Sequence, residues 1–268
     1  MKNNTSLDTL CAALSYAMGI EPPKEAAPAC KELTNLIDKN LNGQKVERII
    51  MYNPDAIAQW VFEKYHDMFG DILSLTDVAL PFATVMPSVT PVCFGTMYTG
   101  SQPEIHGIRS YAKPVIKIDT IFDALLRNAK KPVIVCTEND SLSKIYLERD
   151  MDYFFYDSTD KVNQKAGELI LKGEHDFIVI YNGNYDSTMH KFGPESKEAL
   201  TALQANIKAY HSFLKLAKDS SRDKNTLVGF AMDHGCHEID GNCGSHGLDM
   251  EEDINIVHLY KLFKAEKR

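Results

Sequence analysis

The residues best equipped for chemistry in this 268-residue chain lie in three short polar segments. The first runs Asn182-Gly183-Asn184-Tyr185-Asp186-Ser187-Thr188-Met189-His190. Asp186 and His190 stand four apart, so in a helical turn they share one face and can reach one ion. The second segment is Asp233-His234-Gly235. The third is Gly244-Ser245-His246-Gly247, a histidine between glycines that let the backbone approach closely. Two carboxylates and three imidazoles form a ligand mix that suits zinc or a transition metal of similar preference. Taken singly, each segment has a plainer reading. Asp186 and His190 can be a solvated helix face, and Asp233-His234 can cap the next helix. All three together, each at or near the end of a strand-like run, point to a metal site. Cys236, His237 and Cys243 offer a zinc knuckle instead, but they lack the paired Cys-x-x-Cys spacing of a structural site.

A fourth segment, Met86-Pro87-Ser88-Val89-Thr90-Pro91-Val92-Cys93, leads into a helical pattern running to about Thr99, and Pro91 suits its first turn. Thr90 then lies at the helix N-terminus, where N–H groups and the helix dipole favour an anion. A hydroxyl placed there and bound to a metal can ionise and attack phosphorus. The alternative is a threonine that only caps the helix.

These segments need a scaffold that gathers them. Buried strand-like runs occur at 48–52, 132–136, 152–156, 177–181, 227–232 and 254–258. Helical patterns occupy about 6–19, 24–41, 119–129, 160–172 and 195–219, and a further helix should follow Asn53-Pro54-Asp55 to about 68. Continuous apolar strands alternating with helices predict a three-layer α/β/α fold around a mostly parallel sheet. Ligands on such sheets bind beyond the carboxyl ends of the strands, where the polar segments fall. The length suggests one catalytic domain over 1–268, with helices in 1–44 packed on it.

Composition narrows the function. Hydrophobic residues make up 44% and charged residues 25%, as in an ordinary globular chain. No apolar run is long enough to span a bilayer, and the N-terminus lacks the hydrophobic core of a signal peptide. The net charge of -8 leaves no basic face for a nucleic-acid polymer, although a metal site can still attract a small phosphate ester. The six cysteines follow no disulfide framework, so the expected setting is the cytoplasm, with no membrane association.

The ordered motifs resemble the alkaline phosphatase superfamily, most closely its nucleotide pyrophosphatase/phosphodiesterase branch. They are Pro87-Ser88-Val89-Thr90-Pro91, Thr99-Gly100-x-x-Pro103-x-x-His106-Gly107-Ile108, Asp186-x-x-x-His190-x-x-Gly193-Pro194, Asp233-His234-Gly235 and Gly244-x-His246-Gly247. They keep the family's order within residues 48–260. The resemblance implies Thr90 as nucleophile and metal contact, with Asp186, His190 and His246 on a first metal. It places Asp233 and His234 on a second, together with an aspartate at the end of the first strand. Gly100 and His106 shape the intervening loop. The implied enzyme hydrolyses small phosphate esters, whether phosphodiesters, nucleotide pyrophosphates or monoesters. It uses two divalent ions, zinc or manganese, and a phospho-threonine intermediate.

Two positions depart from the family. Where it has Asp-Gly after the first strand, this chain has Asn53-Pro54-Asp55. A carboxylate offsets a dication better than an amide, which favours Asp55 over Asn53 as the ligand. Cys93 stands where the diesterase branch often has an asparagine donor. The alternatives are a phosphomutase of the same superfamily, though little room remains for its inserted cap, or a metal-binding homologue without activity.

Overall fold

In a computed structural model of the chain, which describes residues 1–266, the apolar runs form six strands of a seven-stranded sheet. The elements in chain order begin with α1 (Thr9–Met18), α2 (Lys31–Leu41), β1 (Arg48–Pro54), α3 (Gln59–Lys64), α4 (Gly70–Leu73) and β2 (Val78–Ala83). Next come α5 (Thr90–Thr99), α6 (Pro103–His106), α7 (Ile121–Arg127), β3 (Pro132–Thr137), α8 (Leu142–Ile145) and β4 (Asp152–Tyr156). The second half holds α9 (Thr159–Lys172), β5 (Phe177–Asn182), α10 (Asn184–Phe192), α11 (Lys197–Ser220) and β6 (Thr226–Phe230). A short hairpin of β7 (His237–Ile239) and β8 (Cys243–Ser245) follows, then α12 (Glu251–Ile254) and β9 (Asn255–Phe263).

The strand order is β2-β9-β6-β1-β5-β3-β4, and β9 pairs antiparallel with both of its neighbours. The expected three-layer α/β/α fold with a mostly parallel sheet is therefore borne out. Alternation along β1 shows how both faces are covered. Tyr52 packs against Tyr210 and Phe213 of α11, whereas Asn53 meets Tyr98 of α5 on the opposite face. All seven residues of β1 are buried, as befits a central strand clad on both sides. Helix α1 packs on α5 and β1, and α2 packs on α1.

Several elements differ from the expectation. The helix read over 24–41 begins only at Lys31. Residues before it run extended because Ala27 N–H donates to Gly100 O at 2.7 Å and Cys30 N–H to Thr9 O at 3.1 Å. Gly100 sits at φ +74°, where a β-carbon would lie 2.6 Å from Ala26 Cβ, so only glycine admits this strap. The helix expected to about 68 breaks into α3, a 3₁₀ turn over His66–Phe69, and α4. Strand β2 escaped notice because Pro81 interrupts it, but on a sheet edge a proline costs little. The last strand, expected over 254–258, extends to Phe263.

Candidate metal centre

Three adjacent strands, β6, β1 and β5, end at the same edge of the sheet and deliver the polar segments there. Asp55 follows β1, Asp233 and His234 follow β6, and α10 after β5 carries Asp186 and His190. His246 directly follows β8, and Thr90 is the first residue of α5. This edge is where ligands bind in sheets of this class.

The side chains gather into two groups able to hold a cation, Asp55 with Asp233 and His234, and Asp186 with His190 and His246. In the inner group His234 Nε2 lies 3.4 Å from both Asp55 Oδ1 and Asp233 Oδ2. Thr90 Oγ joins this group, 3.3 Å from His234 Nε2 and 3.4 Å from Asp55 Oδ2. In the outer group Asp186 Oδ1 lies 3.2 Å from His190 Nε2 and 3.3 Å from His246 Nε2. The rings of His234 and His246 stack at 4.0 Å between centroids, so the groups are contiguous.

Each histidine is oriented by a carbonyl behind it. His190 Nδ1 lies 2.9 Å from Gly244 O, His246 Nδ1 2.9 Å from Ser88 O, and His234 Nδ1 2.9 Å from Gly235 O. A carbonyl only accepts, so Nδ1 carries the proton and the Nε2 lone pair faces the centre, the usual arrangement behind a metal ligand. The carboxylates are held too. Tyr181 Oη donates to Asp55 Oδ2 and Ala56 N–H to Asp233 Oδ1 at 3.2 Å, and Thr84 Oγ fixes the main chain of Asp233 by donating to its carbonyl oxygen at 2.7 Å. Tyr181, Thr84 and Ser88 are contributors that sequence reasoning missed. Nothing local marks them, since each acts through a partner far along the chain.

The electrostatics fit a cation. Asp55 Oδ1, Asp233 Oδ2 and Asp186 Oδ1 are buried and accept no hydrogen bond. Burial, aided by the neighbouring carboxylates, pushes Asp55 well above the ordinary range and Asp233 up to about 7. Burial also pushes His234 well down, with the nearby His246 adding to the effect. Desolvation would raise the partly exposed Asp186 too, yet the imidazoles of His190 and His246 beside it hold it below the ordinary range. Uncompensated buried carboxylate oxygens are costly, and a divalent ion is the group that this donor set would satisfy.

Each sequence-predicted residue has a definite place. Asp55, Thr90, Asp233 and His234 converge in the inner group, and Asp186, His190 and His246 in the outer one. Asn53 is engaged elsewhere: its amide donates to Ala231 O at 2.7 Å and its carbonyl accepts from Tyr98 Oη at 2.6 Å. Thr90 does not cap α5, since Val89 holds the cap position. Val92 and Cys93 N–H both donate to Val89 O, so the helix offers its dipole more than free donors. His106 packs beneath α5 against Thr96 Oγ at 3.1 Å, away from the two groups. The zinc-knuckle alternative does not form among the described residues: Cys236 is buried beside Tyr185, and Cys243 lies near Lys191 O.

A parallel sheet whose central strand ends carry two contiguous carboxylate–histidine groups beside a buried threonine defines a candidate two-cation centre. Comparison with known proteins agrees. Residues 137–266 match the family described as type I phosphodiesterase/nucleotide pyrophosphatase, a stretch that includes Asp186, His190, Asp233, His234 and His246. No curated protein matches the sequence. Among solved structures, murine ectonucleotide pyrophosphatase/phosphodiesterase 5 is similar, with a TM-score of 0.58 and 17% identity, over 72% of this chain and 58% of that one. An inactive variant of the murine protein, solved in complex with AMP, is also similar, with a TM-score of 0.54, 16% identity, and coverage of 73% and 59%. Phosphonoacetate hydrolase from Sinorhizobium meliloti, in complex with phosphonoformate, gives a TM-score of 0.53 and 15% identity over 73% and 59%. The resemblance to the nucleotide pyrophosphatase/phosphodiesterase branch is thus borne out over residues 137–266, and the solved structures of that branch and of the phosphonoacetate hydrolase share the fold. The chain spans under two thirds of the length of these structures.

Proposed function

We propose that this chain is a metal-dependent phosphoesterase that hydrolyses small phosphate esters, diesters or nucleotide pyrophosphates among them, through a phospho-threonine at Thr90. One observation carries the reading: three buried, unpartnered carboxylate oxygens in two contiguous groups, with the Thr90 hydroxyl against one of them. Asp55, Asp233 and His234 would hold one divalent ion, and Asp186, His190 and His246 the other. Zinc suits this mix of imidazole and carboxylate, and manganese is the second choice. Bound there, such ions supply Lewis acidity and lower the pKa of an attached hydroxyl.

The chain's own residues then set the direction of attack. Thr90 is buried at the start of α5, with Oγ aimed at the inner group and the helix dipole behind it. Asp55 Oδ2 lies 3.4 Å from the hydroxyl and can take up its proton as the oxygen attacks phosphorus, while His234 Nε2 keeps its lone pair for the ion. The outer group is more open to solvent and is placed to receive the leaving oxygen. Water would then release phosphate from Thr90. In this reading the catalytic unit is the whole chain, and its ligand is a small phosphate ester of the kind represented by the AMP in one structural relative, with phosphonates such as the phosphonoformate in another as related ligands. The six unbridged cysteines favour a reducing compartment, the cytoplasm. Among the described residues no helix is long and apolar enough to cross a membrane.

The test is a panel of phosphate monoesters, diesters, nucleotides and phosphonates assayed with zinc and with manganese. Acid-quenched protein should carry one phosphate on the peptide containing Thr90. Stoichiometric metal without turnover of any ester would return the chain to the inactive-homologue reading.

A further inference from the structure

Asp253 of α12 lies outside the two groups, yet its carboxylate is fully buried. Its oxygens take separate partners: Oδ1 lies 2.7 Å from His237 Nδ1, and Oδ2 accepts Leu248 N–H at 2.8 Å. His237 pairs across the β7–β8 hairpin with Ser245, the residue just before His246. Leu248 is two residues beyond His246. The carboxylate therefore grips the His246 loop on both sides. The main chain adds a third tie, because Asp253 O accepts Gly235 N–H at 2.8 Å, next to His234. Gly235 makes this approach possible: a β-carbon there would lie 2.0 Å from Glu252 O.

We infer that Asp253 is a positioning residue that brackets His246 and sets the outer group's geometry without touching its ion. This rests on the two-cation reading above. A buried carboxylate costs free energy unless it is fully hydrogen-bonded, and here one oxygen secures the start of the short β7–β8 ladder and the other the loop beyond His246. The hairpin is only three residues on each side, too short to fix a ligand loop alone. Behind the His246 ring, Ser88 O sets its rotation but not the path of the loop. Residues that orient a metal ligand typically change metal affinity by about 10–100-fold when replaced.

The test is competitive zinc titration of the full chain. His190→Ala identifies the zinc-binding step that belongs to the outer group. Asp253→Asn keeps the shape but sets an amide donor against one of the two N–H groups. It should weaken that step by about 10–100-fold and leave the other step within about twofold, because the main-chain tie to Gly235 survives. His237→Ala should weaken the same step less. His237→Asn, whose amide nitrogen can replace Nδ1 as donor, should restore it even if Asp253→Asn fails to fold. Unchanged zinc binding in Asp253→Asn, equal weakening of both steps, or failure of His237→Asn to recover what His237→Ala lost would overturn the inference. Wild-type protein that binds no zinc would instead sink the two-cation reading itself.

Discussion

The two groups of the candidate centre are built differently. The inner one is assembled from strand ends: Asp55 follows β1, Asp233 and His234 follow β6, and all three are buried. The outer one is assembled from helix α10 and the loop after β8, and its His190 side chain is 42% exposed. Burial accordingly raises Asp55 and Asp233, whereas the two histidines around Asp186 hold that carboxyl low. Without an ion the inner group lacks compensating positive charge, while the outer group can supply its own by protonating His190, which Asp186 pushes upward. The inner group therefore depends more on its cation, and the outer group is better placed to exchange ligands with solvent.

The largest expected effect falls on Thr90, which belongs to the inner group. Thr90→Ala removes the attacking oxygen and leaves both sets of ligands in place. Turnover should fall by several powers of ten, on the order seen when a single catalytic group is deleted, while elemental analysis still finds both metals. Thr90→Ser should keep measurable turnover. If the alanine variant worked at near wild-type rate, the inner group would be holding a water nucleophile.

Next in size is the contrast between Asp55 and Asn53. Asp55→Asn should strip the inner ion and with it most of the activity. Asn53→Ala instead leaves Tyr98 Oη and Ala231 O without partners, at a cost of about 1–3 kcal/mol in stability, and should spare metal content. Urea unfolding beside metal analysis separates the two outcomes, and the opposite ranking would move the ligand role to Asn53.

A smaller effect should come from a chelator. Because the outer group is open, limited chelation should remove one ion quickly and the second slowly. In His190→Ala only the slow phase should remain. A single phase in the wild type, or loss of the slow phase in this variant, would erase the distinction between the groups.

The smallest effect is one of acid stability, and it sets the centre against the core. His106 and His258 are each pushed down to about 4 by burial, against a usual value of about 6.5. The unfolded chain gains protons below about pH 6.5 that the folded chain refuses until about pH 4. Stability should thus be intact above about pH 6.5 and fall as the pH drops, by roughly 1.4 kcal/mol per unit for each histidine once well below it. Thermal melts of metal-free protein between pH 7 and pH 5 measure this. Asp55 and Asp233, raised by burial, contribute the opposite slope in the same window. The reading is therefore the difference from His258→Gln, and an unchanged slope in that variant would show that the ring is not held neutral.

Much of this was legible in the residues because it is local. The spacing of Asp186 and His190 placed them on one turn of α10, and Pro91 marked the start of α5 at Thr90. The apolar runs gave β3 and β5 nearly residue for residue, since strands buried on both faces must be continuously apolar, and the aromatic run of β4 marked the edge strand beside them. Strand β2 was hidden by Pro81, and the β7–β8 hairpin by its brevity.

By itself the sequence determined which residue types reach one edge of the sheet and in what order, because strand and helix periodicity are short-range properties. Only the tertiary structure decided how they divide. Asn53 and Asp55 are two apart in an extended segment and so share a face, leaving alternation unable to separate them. Tyr98 and Ala231 engage the first, while His234 and Thr90 face the second. Tyr181 behind Asp55 and Asp253 around His246 are likewise invisible along the chain. Their roles come from the packing of β5 beside β1 and of α12 against the β7–β8 hairpin, and no local pattern encodes which distant side chain will fill a neighbour's hydrogen bond.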